Sequence, residues 1–410
     1  MEKRIIRLFI GTIVLLMSGL MYAWSVLSIP IKLDLPSINQ GQISLVFSFA
    51  MASFCLGGLA NGLLKILGRG KISIFLATIL MPLGYIISSL STDITQITVG
   101  YGILVGFSVG IVYAYILSNI TCLFPGKQGI ISGILLFGFG MSSLVFGPIY
   151  TKLVAGSPDL WRTLFRYYGV IMLAVLFLSA IFIPDQNPKK DNIEDSTSTR
   201  PSSMVGTSAF WIIFLFCLIA SGTGLAIISQ GANIVSTSIR NISPEKIALY
   251  IGIISISNGF GRILVGHLFD TLGYLFSMRF ITITALLSQL LLILNTSIGS
   301  NTLILIAFIL LGISYGGAPS FNSAIAIKLF GQRYYSINLS LLNLQLLIAS
   351  TFSTISGNLF DKYNSYLPTF YLSIGAVLIA FILIYFMQKS VETIEKSVEK
   401  NIRHKQAQKA

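Results

Sequence analysis

Twelve apolar runs, six before a polar gap and six after it, leave this chain few folds to choose from. They lie at about 5–29, 42–64, 72–91, 97–122, 129–151 and 164–184, then at about 208–235, 247–268, 277–295, 302–327, 336–357 and 367–388. A bilayer-spanning helix takes roughly 20 apolar residues, and each run supplies about that length. None shows strand alternation. In lipid a backbone must satisfy its own hydrogen bonds, so such runs are helices. The expected architecture is an all-α membrane protein of twelve transmembrane helices in two pseudo-symmetric six-helix halves. The expected boundaries are 1–184 for the first half, 185–207 for a cytoplasmic linker, 208–388 for the second half and 389–410 for a cytoplasmic tail.

Composition agrees. Hydrophobic residues make up 54% of the 410 and charged residues only 10%, against about 25% charged in a soluble domain. An ordinary cytosolic enzyme, a disordered chain and a nucleic-acid-binding protein are excluded. The first run is too long for a removable signal and lacks a small-residue cleavage site, so it is read as helix 1. The gap "DQNPKKDNIEDSTSTRPSSM" is polar and rich in Ser and Thr, as a linker between halves should be. Cys55, Cys122 and Cys217 fall in or beside apolar runs and read as packing residues. His267 and His404 are the two histidines; no metal site and no cofactor are expected.

The net charge of +13 is read first as topology. With both termini placed inside, nineteen of the 27 Lys and Arg residues fall on the inner side, seven on the outer side, and Arg262 within a span. Basic residues favour the cytoplasmic side, so N-in and C-in follow, in the cell membrane.

The halves echo each other. Gly106, Ser108, Gly110, Phe124 and Lys127 are matched 206 positions later by Gly312, Ser314, Gly316, Phe330 and Arg333. Leu63 and Gly68 are matched 205 positions later by Leu268 and Gly273. Two parallel halves put a substrate site near the midplane between them, with alternating access by rocking. The small-xxx-small glycine pairs let helices approach closely, for packing or for a moving interface.

Arg262 is the sharpest chemical feature. A charge within a span is costly and usually faces a cavity or a partner. No acid lies deep in any run, since Asp270 and Asp361 sit at run ends. A guanidinium in that setting suits bidentate carboxylate binding; the bland alternative is snorkelling or bonding to backbone carbonyls. Asn258 lies one turn earlier on the same face. Tyr22, Trp24, Tyr113, Tyr115, Gln230, Asn233, Tyr315, Asn322, Asn343 and Gln345 offer rings and donors within or beside the runs, each a candidate lining residue or a packing one.

Several stretches resemble the major facilitator superfamily, and within it the oxalate/formate antiporter family, relatives of the monocarboxylate porters. "GLMYAWSVLSIPI" resembles that family's opening, "FPGKQGIISGILLFGFGMSSLVFGPIY" its helix 4–5 join and helix 5. "LWRTLFRYYG" resembles the lead into helix 6, "SNGFGRILVG" its helix 8 and "GNLFDKYNSYLPTFY" its helix 11–12 join. "GHLFDTLGY", with Gly266, Asp270 and Gly273, has the spacing of the superfamily's signature loop. A latch on the inner side through Asp270, held by a helix N-terminus or by Arg contacts, is implied. The matching loop "NGLLKILGRGK" keeps Gly68 and Arg69 but has Lys65 where Asp is expected.

The resemblance implies a secondary transporter of small carboxylates, with Arg262 on the family's carboxylate-binding arginine. Oxalate carriers add a lysine in helix 11; "INLSLLNLQLLIASTF" has none, which favours a monocarboxylate such as formate, lactate or pyruvate over oxalate. Proton-coupled porters carry Asp one turn before this arginine, where Asn258 stands, so exchange or facilitated diffusion is expected. A monomer in the bilayer, with no nucleic-acid partner, completes the expectation. The alternatives are an exporter of drugs or other amphiphiles, a non-transporting sensor, and a membrane-embedded enzyme, for which no catalytic set is present.

Overall fold

The computed structural model describes residues 2–38, 40–154, 156–185, 198–239 and 244–407; the side chains of 2, 22, 25, 40, 41, 44, 245, 248 and 390–407 lie outside the description. Among the described residues, twelve helical stretches are long and apolar enough to cross a bilayer. In the first half they are α1 Lys3–Met21, α2 Leu45–Ile66, α3 Gly70–Ser89, α4 Ile94–Leu123, α5 Gln128–Val154 and α6 Leu160–Phe182. In the second they are α7 Ser208–Ile228, α8 Leu249–Leu272, α9 Tyr274–Ile298, α10 Asn301–Phe330, α11 Tyr335–Tyr363 and α12 Leu367–Lys389. The start of α1, the end of α6, the start of α7, the end of α12 and the α2–α3, α4–α5, α8–α9 and α10–α11 turns share one side, here the linker side; the opposite face is the far side.

The repeat seen in sequence is repeated in contacts. A Cβ on Gly106 would stand 2.6 Å from the Ala50 carbonyl oxygen, and one on Gly312 would stand 2.7 Å from that of Ile254. Gly110 presses on the Phe54 carbonyl as Gly316 presses on that of Asn258. Gly57 meets the Phe107 carbonyl as Gly261 meets that of Ile313. The α2–α4 and α8–α10 pairs are thus the same backbone-on-backbone joint, which glycine permits and any larger residue would wedge open. Gly68 and Gly273 close α2 and α8 at φ of +74° and +85°, in the left-handed region that favours glycine.

Large apolar side chains face outward on the peripheral helices: Ile79 on α3, Phe177 and Ile181 on α6, Leu287 on α9, Leu378 and Ile382 on α12. In water such a belt would drive aggregation; in lipid it is the solvent-facing surface. Serine and threonine hydroxyls within the bundle bond back one turn, as Thr78 does to Ile74 and Thr282 to Met278. Those donors are satisfied without opening the helix ladder.

Two segments outside the spans are described in part. Residues 186–197 of the linker lie outside the described residues, while 198–207 pack on the second half. The Thr199 N–H donates to the Phe330 carbonyl, the Asn338 amide donates to Thr199, and Met204 of the short helix Pro201–Val205 is buried. The tail from Lys389 continues the last helix, whose backbone runs Leu367–Ala407.

Candidate functional site between the halves

A glycine track sets the joint between α5 and α8. Gly129 packs on Gly266, Gly133 on the Arg262 carbonyl, and Gly259 against Phe137 and Met141. Towards the far side the helices part: a Cβ on Gly147 or Gly252 would meet nothing within 4 Å. The α2–α11 pair is likewise closed towards the linker side. Gly62 lies on Ile337, and the Asn61 amide donates to Ser336 Oγ at 2.6 Å. The halves therefore meet at the linker side and separate along α5 and α8 at the other.

Asp270 ties this closure across the halves. Its carboxylate accepts the N–H groups of Gly129 and Ile130 at 2.9 and 2.8 Å, at the first turn of α5. An anion is favoured at a helix N-terminus, where N–H groups lack intrahelical partners. Lys65, at Asp270's place in the repeat, does something else. It is buried and donates to Ser118 Oγ at 2.9 Å and Asn119 Oδ1 at 2.7 Å, both near the C-terminal end of α4 in its own half. Among the described residues the first half shows no carboxylate bound to a helix N-terminus here, and Arg69 is exposed. Lys65→Met should lower stability by about 1–3 kcal/mol, because buried acceptors lose their donor. It should leave substrate KM nearly unchanged; thermal unfolding in detergent and exchange kinetics measure the two.

Above this closure lies a cavity of about 30 Å³. One water needs roughly 10–15 Å³ of such space, so it suits a ligand of a few heavy atoms. The first half contributes Phe54, Tyr113, Leu136 and Phe139. Phe54 and Tyr113 meet edge-on at 5.2 Å, Tyr113 and Phe139 at 5.4 Å. The second half contributes the polar set: Ser221 of α7, Arg262 of α8, Tyr315 and Asn322 of α10, and Asn343 and Gln345 of α11, with Pro319 and Leu346. Arg262 is 6% exposed and its Nη1 donates to the Leu136 carbonyl of α5. The two phenols, Tyr113 and Tyr315, both lie within its field. Asn322 Nδ2 donates to Asn343 Oδ1 at 2.9 Å, and Asn343 and Tyr113 line the cavity together. Gln345 reaches Ser221 at 3.4 Å.

Local structure explains these positions. Pro319 withholds the N–H that would bond the Tyr315 carbonyl. Gly224 of α7 makes room for the Tyr315 ring, whose Cδ2 would lie 2.6 Å from a Cβ there. The α11 helix tightens into i→i+3 bonds at Leu344 and Leu347, turning Asn343, Gln345 and Leu346 towards the cavity.

Arg262, Tyr113, Tyr315, Asn343 and Gln345 thus come together. Other sequence candidates lie elsewhere. Asn258 sits against Gly316 on the α10 side: one turn along a helix is about 40° around it, and a short amide does not reach where a guanidinium does. Trp24 donates to the Ile43 carbonyl and packs on Tyr101, inside the first half. Tyr115 donates to the Ile183 carbonyl. Gln230 and Asn233 share the Tyr366 hydroxyl at the far side of the second half. The Tyr22 side chain lies outside the described residues. Phe54, Leu136, Phe139 and Ser221 line the cavity unannounced, since an apolar residue or a serine in a span carries no sequence signal of its own.

The arrangement is that of two halves enclosing a small cavity between them, and sequence comparison says which family builds it. The profile of the Major Facilitator Superfamily matches residues 8–354. The chain belongs to that superfamily. It is therefore a multi-pass membrane transporter and not an enzyme. YhjX, an uncharacterised transporter of the superfamily from Escherichia coli K12, is 29% identical over 289 residues, 68% of this chain and 69% of that one. An oxalate:formate antiporter from Oxalobacter formigenes is 22% identical over 334 residues, 79% of this chain and 76% of that one. The crystal structure of FucP in its outward conformation shares the fold, with a TM-score of 0.70 at 13% identity over 94% of this chain and 99% of FucP.

Proposed function

We propose that this transporter exchanges small monocarboxylates, of the size of formate, lactate or pyruvate, with Arg262 as the anion-binding group. One observation carries the reading: Arg262 is the one cationic side chain lining the cavity between the halves, among the described residues. Tyr113, Tyr315, Asn343 and Gln345 supply further polar contacts around it. The guanidinium accommodates a carboxylate through two parallel N–H bonds. The small volume favours a ligand of a few heavy atoms over a drug-sized amphiphile.

The repeat supports a substrate with a single negative charge. Contacts in α2 and α8 register at 204 residues, Ala50 with Ile254 and Phe54 with Asn258. Arg262 then corresponds to Gly58, so the first half adds no second cation. A dianion such as oxalate would bring a second negative charge that no further cationic side chain lining the cavity answers, among the described residues. Among the described residues no Asp or Glu lines the cavity, and Asn258 cannot carry a proton. Exchange or facilitated diffusion follows in preference to obligatory proton symport. The proposal includes a monomer in the cell membrane with the linker side cytoplasmic.

The test is counterflow in proteoliposomes loaded in turn with formate, lactate, pyruvate, oxalate or a cationic dye. Saturable exchange of at least one monocarboxylate, indifferent to an imposed pH gradient, is expected. Exchange of oxalate alone, or of the dye alone, would overturn the reading.

A further inference from the structure

We infer that Gly140 of α5 is the seat of the Arg262 guanidinium, a positioning residue that fixes the substrate-binding charge at the boundary between the two halves. The inference rests on the carboxylate reading for its effect on transport, and on geometry alone for the seat itself.

A Cβ built on Gly140 would stand 2.8 Å from Arg262 Cζ and 3.1 Å from both Nε and Nη1. Near-equal distances to three atoms of a planar group mean that the missing methyl would point at its face. One turn earlier on the same helix, the Leu136 carbonyl accepts from Nη1. Residues four apart share a helix face. So one face of α5, in the first half, supplies both a flat floor and an acceptor for a charge carried by α8, in the second. Gly140 touches no ligand space itself; it acts through Arg262.

Alanine at 140 would not break the helix. The obstructed atoms are the far end of a flexible side chain, so the guanidinium would yield and the backbone would stay. Its bond to Leu136 and its fixed aim into the cavity would go with it. A pre-placed cation binds better than one that must be ordered on arrival. Gly147, seven residues on along the same helix, is the control, because a Cβ there meets nothing within 4 Å.

The experiment uses the full-length protein. Wild type, Gly140→Ala, Gly147→Ala, Arg262→Gln and the Gly140→Ala/Arg262→Gln double variant are unfolded thermally in detergent, and wild type and the two glycine variants are assayed for monocarboxylate exchange. Gly140→Ala should lower the melting temperature in the wild-type background. In the Arg262→Gln background, with the guanidinium gone, it should be neutral or stabilising, since Ala is the better helix former. Its KM should rise about tenfold or more, the scale of a lost charge-assisted hydrogen bond, with a smaller change in maximal rate. Gly147→Ala should leave KM unchanged. An equal melting shift in both backgrounds overturns the seat, whatever the substrate. If wild type exchanges no carboxylate, the functional reading fails and the melting cycle still decides the seat. If wild type exchanges one and Gly140→Ala keeps its KM, the positioning role is overturned.

Discussion

Arg262→Gln should abolish saturable carboxylate exchange and leave a folded protein. The loss is large because the removed group is a buried charge aimed at a charged ligand. Truncating one partner of such a pair costs about 2–5 kcal/mol, roughly 30-fold to several-thousand-fold in affinity. Folding survives because the guanidinium's partner on α5 is the carbonyl of Leu136, inside an uninterrupted helix. Arg262→Lys should fall between the two. It keeps the charge but loses the planar fork and the reach to Leu136. Exchange rates and size-exclusion profiles of the two variants measure this. Undiminished exchange in Arg262→Gln would return Arg262 to a structural role.

The second large effect is expected at Asp270. Asp270→Ala removes two charge-assisted hydrogen bonds and an anion from the N-terminus of α5. Those contacts exist only while α5 and α8 are closed on the linker side, so their loss penalises that state alone. With charge-assisted bonds worth about 1.5–3 kcal/mol each, the two together should lower the closed population by roughly two to four orders of magnitude relative to the open one. The chain carries its own reporter. Cys55 is buried between α2 and α11, its thiol 3.8 Å from the Asn343 carbonyl across the halves. With Cys122 and Cys217 replaced by Ser, Cys55 should react with a thiol reagent about ten times faster or more in Asp270→Ala than in its parent, and exchange should slow. Equal labelling rates would show that Asp270 does not govern the closure.

How much of this was legible in the sequence follows from what each feature costs. Twelve helices were legible because the bilayer demands some 20 apolar residues for each. Arg262 was legible because a charge in a span needs a reason. The pairing of Gly106 with Gly312 and Gly110 with Gly316 was visible as an offset, and it reappears as matched carbonyl contacts. The site's other wall was not legible. Phe54 and Phe139 look like any span residue until the aromatic cluster around Tyr113 is assembled in space. Asn258 was misplaced because helical periodicity gives a face and no side-chain reach. Trp24, Tyr115 and Gln230 satisfy their polar atoms within their own halves, a pairing that depends on tertiary contacts. Gly140 shows the same limit from the other direction, since the need for a missing methyl appears only once Arg262 lies over it.

The most direct test of a carboxylate held by Arg262 between the halves is equilibrium binding. Purified wild type and Arg262→Gln would each be titrated calorimetrically with formate, lactate and pyruvate in detergent. Saturable one-to-one binding of at least one anion to wild type, lost in the variant, is the predicted result. Binding of equal strength to both proteins, or of none of the three to either, would contradict the account.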